Sequence, residues 1–211
     1  MKAERNNFWI NVYIVIALVA VLWVSFLLQH FGYADTFAYG ILAKQPIGLR
    51  GIIFSPFIHG NLEHLVSNSL PVMVLLMVLL NAYPECRWRV LLFIHLVSGA
   101  LVWCFSPLGS NHIGISGIIY GIAAFLIASG FMRQHRNHIA IAIFVALSYG
   151  GMVIGFIPVE GVSWQSHVFG AWSGALAAWL FRNYDLPELY EPFAGETPDS
   201  DRHFFEEVNN E

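Results

Sequence analysis

A serine, two histidines and an asparagine carry the chemistry open to this sequence. They fall in three clusters: Phe57-Ile-His59-Gly-Asn-Leu-Glu-His64-Leu-Val-Ser-Asn68, Gly114-Ile-Ser116-Gly117-Ile-Ile-Tyr120-Gly121, and Ser166-His167-Val-Phe-Gly170-Ala-Trp-Ser-Gly174. A serine hydroxyl attacks a carbonyl carbon once a base takes its proton, and histidine can take that proton near neutral pH. The resulting oxyanion needs hydrogen-bond donors, for which His64, the Asn68 amide and the Ser116 backbone N–H are the candidates. No aspartate occurs between Asp35 and Asp185. A buried Ser-His-Asp triad is therefore not available, and the expectation is a dyad of Ser116 and His167. Tyr120, one helical turn beyond Ser116, is the candidate to pack against the imidazole. Position 118 is isoleucine, so the serine is not in the nucleophile elbow of soluble hydrolases.

The elements that must position these groups are membrane helices. Hydrophobic residues make up 57% of the 211 and charged residues only 11%, against roughly 25% charged in an ordinary soluble domain. Of the 24 charged residues, ten lie within 183–211 and leave 14 for the first 182. With a mean hydropathy of +0.61, the chain reads as an integral membrane protein. Six apolar stretches, at 8–30, 62–81, 88–107, 114–132, 139–157 and 164–181, each approach the roughly 20 residues of a spanning helix. The first is too long for a signal peptide and has no cleavage site after it.

Under six alternating spans, Lys2, Arg5, Arg87, Arg89, Arg133, Arg136, Arg182 and Arg202 share one side, and only Lys44 and Arg50 take the other. That bias puts both termini in the cytoplasm. Trp9, Trp88, Trp103 and Trp164 fall near span ends, where aromatic belts are expected. Ser116 lies 17 residues before Arg133, His167 15 before Arg182, and Asn68 19 before Arg87. At 1.5 Å per residue these are depths of ~25, ~23 and ~28 Å. The groups on spans two, four and six thus share one layer beneath the outer surface. Gly117 and Gly121, with Gly170 and Gly174, form two small-residue faces that would let spans four and six approach closely. Pro71 should bend span two beside Asn68.

Other readings are weaker. A net charge of −4 without a basic cluster excludes a nucleic-acid partner. Cys86 and Cys104 lie ~27 Å apart along one helix and cannot pair. His112, in an outer loop, is the other possible base, and His95 reads as an interior histidine. Zinc on His59, His64 and His112 lacks a fixed ligand motif. Arg50 reads as an anchor for the first loop, 31–61, which is apolar enough to lie partly in the membrane interface. Glu63 and Glu160 read as solvated outer acids. The stretch after Asn183 holds nine acids and one arginine, the composition of a solvated tail.

Taken together, His59-x4-His64-x3-Asn68, Gly114-x-Ser116-Gly117 with Tyr120, and His167-x2-Gly170-x3-Gly174 resemble the rhomboid family of intramembrane serine proteases in its basic six-span bacterial form. Leu49-Arg50 falls where the family has a Trp-Arg pair, and the likeness covers residues 8–182. It implies Ser116 as nucleophile and His167 as general base. His64, Asn68 and the Ser116 amide would form the oxyanion hole, Tyr120 would stack on the histidine, and His59 would be structural. The sequence departs from the family at Asn81–Arg87, which lacks the usual glycine-flanked glutamate, and at Ser67, where many relatives carry an aromatic that gates substrate.

The expected fold is therefore an all-α membrane protein, a rhomboid-like bundle of six transmembrane helices. Residues 1–7 form a short cytoplasmic N-terminus, 8–182 the catalytic domain and 183–211 an acidic cytoplasmic tail. The expected activity is peptide-bond cleavage in or beside transmembrane segments of other proteins, without metal or organic cofactor, in a prokaryotic inner membrane. Its partners would be transmembrane protein substrates and the lipid bilayer. Substrate would pass laterally by span five, where Gly150-Gly151 makes the outer part deformable. The alternatives are a catalytically silent relative that binds client helices and a small transporter or channel.

Overall fold

The computed structural model describes residues 2–159 and 161–185. Seven α-helices occur among them: α1 (Lys2–His30), α2 (Gly51–Phe54), α3 (Leu62–Ala82), α4 (Arg87–Phe105), α5 (Ser116–Arg133), α6 (Arg136–Tyr149) and α7 (Trp164–Leu180). Apart from the one-turn α2, they take the six positions expected of an all-α membrane bundle. Five are long and apolar enough to cross a bilayer, α6 together with the 3-10 turns that continue it to Phe156. At 17 residues α7 is shorter, ~26 Å, and packs along α5 in the interior. Leucine, isoleucine and valine on the periphery, such as Ile16, Val24, Leu92 and Leu147, are exposed, as befits a surface whose solvent is hydrocarbon. The chain is a multi-pass membrane protein.

α5 is the central rod. It is the most buried of the five long apolar segments, while α1 and the segment that runs from α6 on to Phe156 are the least. Its apolar side chains Ile119, Ile122, Phe125 and Leu126 join Leu75 and Leu79 of α3, Val90 and Ile94 of α4, and Ala177 and Ala178 of α7 in one core. α5 meets α7 backbone to backbone. A Cβ on Gly170 would overlap the Gly117 carbonyl, and one on Gly174 the Gly121 carbonyl. With little hydrophobic force between helices in lipid, such close van der Waals approach is what holds them. α1 is tied to α3 by polar contacts: Trp23 Nε1 donates to Ser69 Oγ (3.2 Å), and Asn11 Nδ2 donates to the Leu80 carbonyl (3.3 Å).

Three departures from the sequence reading have physical causes. The fifth span is not one α-helix to residue 157. α6 ends at Tyr149, and Gly150–Phe156 is 3-10, because the Gly150-Gly151 pair costs about 2 kcal/mol of helix propensity there. The first loop is a folded unit. It holds three 3-10 turns, α2 and a strand β1 (Ile41–Leu42), which pairs antiparallel with β2 (Asn111–His112), Ile41 opposite His112. Arg50 fixes that unit by donating to the Ala38 carbonyl (2.7 Å) and lying over the Tyr39 ring (4.4 Å).

The third departure lies at the end of the bundle far from Ser116, where Tyr184 and Asp185 are anchored rather than loose. Arg133 donates to the carbonyls of Phe181 (2.8 Å) and Tyr184 (3.1 Å). The Asp185 carboxylate accepts from the N–H groups of Glu85 (2.7 Å) and Cys86 (3.1 Å) at the start of α4, where helix donors lack internal acceptors. The remainder of the expected tail, 186–211, lies outside the described residues.

Candidate active site

α5 opens at Ser116, so the serine N–H is among the first-turn donors without an intrahelical acceptor. The turn before it depends on Gly114, whose φ of +102° suits glycine alone and whose absent Cβ leaves room for the His64 ring. Gly114 N–H donates to the Ser55 carbonyl (2.9 Å) and joins this turn to the first loop. His167 lies in the first turn of α7. The glycine contacts between α5 and α7 bring its Nε2 to 3.0 Å from Ser116 Oγ, with both residues buried.

The imidazole is held on two further sides. Tyr120 stacks on it, ring centroids 4.2 Å apart and planes 7° from parallel, while the Tyr120 hydroxyl donates to the Met152 carbonyl (2.7 Å). His167 Nδ1 lies 2.8 Å from the Gly155 carbonyl. A carbonyl only accepts, so Nδ1 carries the proton of the neutral ring, and Nε2 is left as the acceptor for the Ser116 hydroxyl. That tautomer is the one a general base needs. Gly155 has to be glycine, because a Cβ there would overlap the Tyr120 hydroxyl and sit 3.0 Å from His167 Nδ1. The sequence reading missed this residue. A backbone carbonyl has no side-chain signature, and Gly155 in the fifth span offered only the absence of a side chain.

His64 and Asn68 lie on α3, which Asn61 caps by accepting from His64 N–H (2.8 Å). One Asn68 amide N–H donates to the His64 carbonyl (2.9 Å), which leaves the second as a free donor. Both residues line a cavity of about 550 Å³ together with Ser116, Tyr120, Met152 and His167, within the usual range of ligand clefts. Ser67 and Pro71 line it too; Pro71 leaves the Ser67 carbonyl without its helical donor.

Other sequence candidates fall elsewhere. His59 is fully buried, its two ring nitrogens have no hydrogen-bond partner among the described residues, and its ring packs edge-on against His64 at 5.0 Å. Burial, helped by the charge His64 can carry, pushes the His59 pKa down to about 4. His112 is bonded to Ser110 Oγ (2.9 Å), and burial lowers its pKa to about 4. It does not line the cavity, which removes it as a rival base. Among the described residues, no three histidine, cysteine, aspartate or glutamate side chains are grouped as metal ligands. Cys86 is buried and Cys104 exposed, and both are free thiols.

The fold and this site define a class: a polytopic helical membrane protein with a serine–histidine pair enclosed at the starts of two glycine-packed helices. The Rhomboid domain family matches residues 48–184. An uncharacterized protein of Mycobacterium tuberculosis is 34% identical over 176 residues, covering 79% of this chain and 73% of the relative. One of Mycobacterium bovis aligns equally well, and one of Mycobacterium leprae is 37% identical over 151 residues, 67% of this chain and 59% of that relative. The chain belongs to the rhomboid family.

Proposed function

We propose that this rhomboid is an intramembrane serine endopeptidase that cleaves peptide bonds in or next to transmembrane segments of other proteins. The observation that carries the reading is the Ser116 Oγ–His167 Nε2 hydrogen bond with Gly155 behind the ring. Ser116 Oγ attacks the scissile carbonyl carbon while Nε2 takes the hydroxyl proton. The oxyanion accepts from the Ser116 N–H, the free Asn68 amide hydrogen and His64, at a helix start whose dipole favours negative charge. The C–N bond then breaks, the leaving amine takes the proton from Nε2, and the acyl group stays on Oγ. Water, deprotonated by the same nitrogen, then bonds to the acyl carbon; the C–Oγ bond breaks, the acid leaves, and Ser116 Oγ takes the proton back from Nε2.

The cavity opens where the cation bias predicts the outer side, so both termini are assigned to the cytoplasm of a prokaryotic cell. Substrate is admitted past the 3-10 end of α6, the least buried of the candidate spans. A substrate helix must unwind before its carbonyl reaches Ser116, which favours small or helix-breaking residues at the cut. The test is cleavage of a single-span substrate by detergent-solubilised protein. Wild type is expected to cut once near the outer membrane boundary, and Ser116→Ala and His167→Ala to abolish the cut. Cleavage that persists in both variants would overturn the reading.

A further inference from the structure

The proposed reaction leaves one group in the cavity without a task. Glu63 lies in the first turn of α3, next to His64, and its side chain is exposed and lines the same cavity as Ser116 and His167. The other lining residues are apolar, amide, hydroxyl or imidazole-bearing, so Glu63 is the only full charge on that wall among the described residues. Neither outer cation neutralises it from within. Arg50 is committed to the Ala38 carbonyl and the Tyr39 ring, and neither Arg50 nor Lys44 lines the cavity. The lining from the approach to α7 is Gly161, Val162 and Ser163, none of them charged.

We infer that Glu63 sets substrate specificity: its carboxylate selects cleavage segments that carry a lysine or arginine close to the cut and disfavours those with an acid there. The inference rests on the protease reading and names the substrates that site prefers. With no second full charge on that lining among the described residues, the Glu63 carboxylate sets the sign of the field in the space where the substrate backbone must lie. A substrate cation there gains an ion pair, and a substrate anion meets a like charge. The residues bonded to the reacting atoms are untouched, so the effect falls on the comparison between substrates and leaves the chemical step alone.

The experiment compares kcat/KM for one single-span substrate carrying lysine, glutamine or glutamate at successive positions either side of the cut. Cleavage of the glutamine version, and its loss in Ser116→Ala, establishes proteolysis separately from the preference. At one or more positions wild type is expected to favour lysine over glutamate by about fivefold to tenfold, as a partly exposed charge pair allows. The ratio should fall towards one in Glu63→Gln and invert in Glu63→Lys. In wild type alone it should shrink between 0.05 and 0.5 M salt, since exposed pairs are screened; this arm stands even where a variant fails to fold. Equal rates for all three substrates at every position, or a lysine preference that survives both Glu63→Gln and high salt, would overturn the assignment while leaving the protease reading intact.

Discussion

An imidazole without a carboxylate behind it needs another acceptor, and in this protein the Gly155 carbonyl stands at 2.8 Å from Nδ1. A neutral carbonyl fixes the tautomer as an aspartate would but stabilises the imidazolium less, so orientation carries more of the effect. Gly155→Ala pushes a methyl into Tyr120 and His167. The expected result is a loss of about a hundredfold in kcat, the scale of a displacement near 1 Å, with far-UV helicity unchanged. His64→Ala should lower kcat by about a hundredfold with little change in KM, the signature of a donor used only in the transition state.

His59 gives a pH prediction of its own. Its folded pKa of about 4 lies below the ordinary 6.5, so the neutral ring contributes stability that is complete above pH 6.5. That contribution declines as the pH falls and is gone below about pH 4. Thermal unfolding in detergent should show a falling midpoint over that window, and His59→Phe should flatten the slope.

At the scale of elements, the site exists because α5 and α7 touch through glycines. Gly174→Ala forces a methyl against the Gly121 carbonyl and should cost about 2 kcal/mol, the usual range for overpacking, read as a lower unfolding midpoint. Gly150→Ala meets nothing within 4 Å and should leave the midpoint unchanged or slightly raised. The first contact was legible in the sequence: counting residues to the inner arginines put Ser116 and His167 in one layer, and the four-residue glycine spacing gave the face that joins them. The role of the 3-10 segment was not. Met152 and Gly155 act through main-chain oxygens, and their use depends on where the chain runs after α6 breaks. The same segment holds Tyr120 and His167, so a substrate that displaces it on the way in also loosens the base until the segment closes again.

At the scale of the whole molecule, polar groups divide between two ends of an apolar bundle. One end encloses the serine and histidines; the other is locked by Arg133 and Asp185 onto the ends of α7 and α4. The cation bias predicts which side each end faces, which the labelling below tests; it gives no sign of the lock, because Asp185 reads as tail composition and meets Glu85 and Cys86 only through the fold. In a background lacking Cys86 and Cys104, a membrane-impermeant maleimide should label Leu108→Cys in intact cells and Asn137→Cys only after lysis; the reverse pattern would invert the topology. The proposed reaction depends on Ser116 being a nucleophile activated by His167. Its most direct test is the mass of a fluorophosphonate adduct on the purified protein. A single phosphonyl group is expected on the Ser116 peptide, absent in Ser116→Ala and formed far more slowly in His167→Ala. An unmodified wild-type Ser116, or equal labelling without the imidazole, would contradict it.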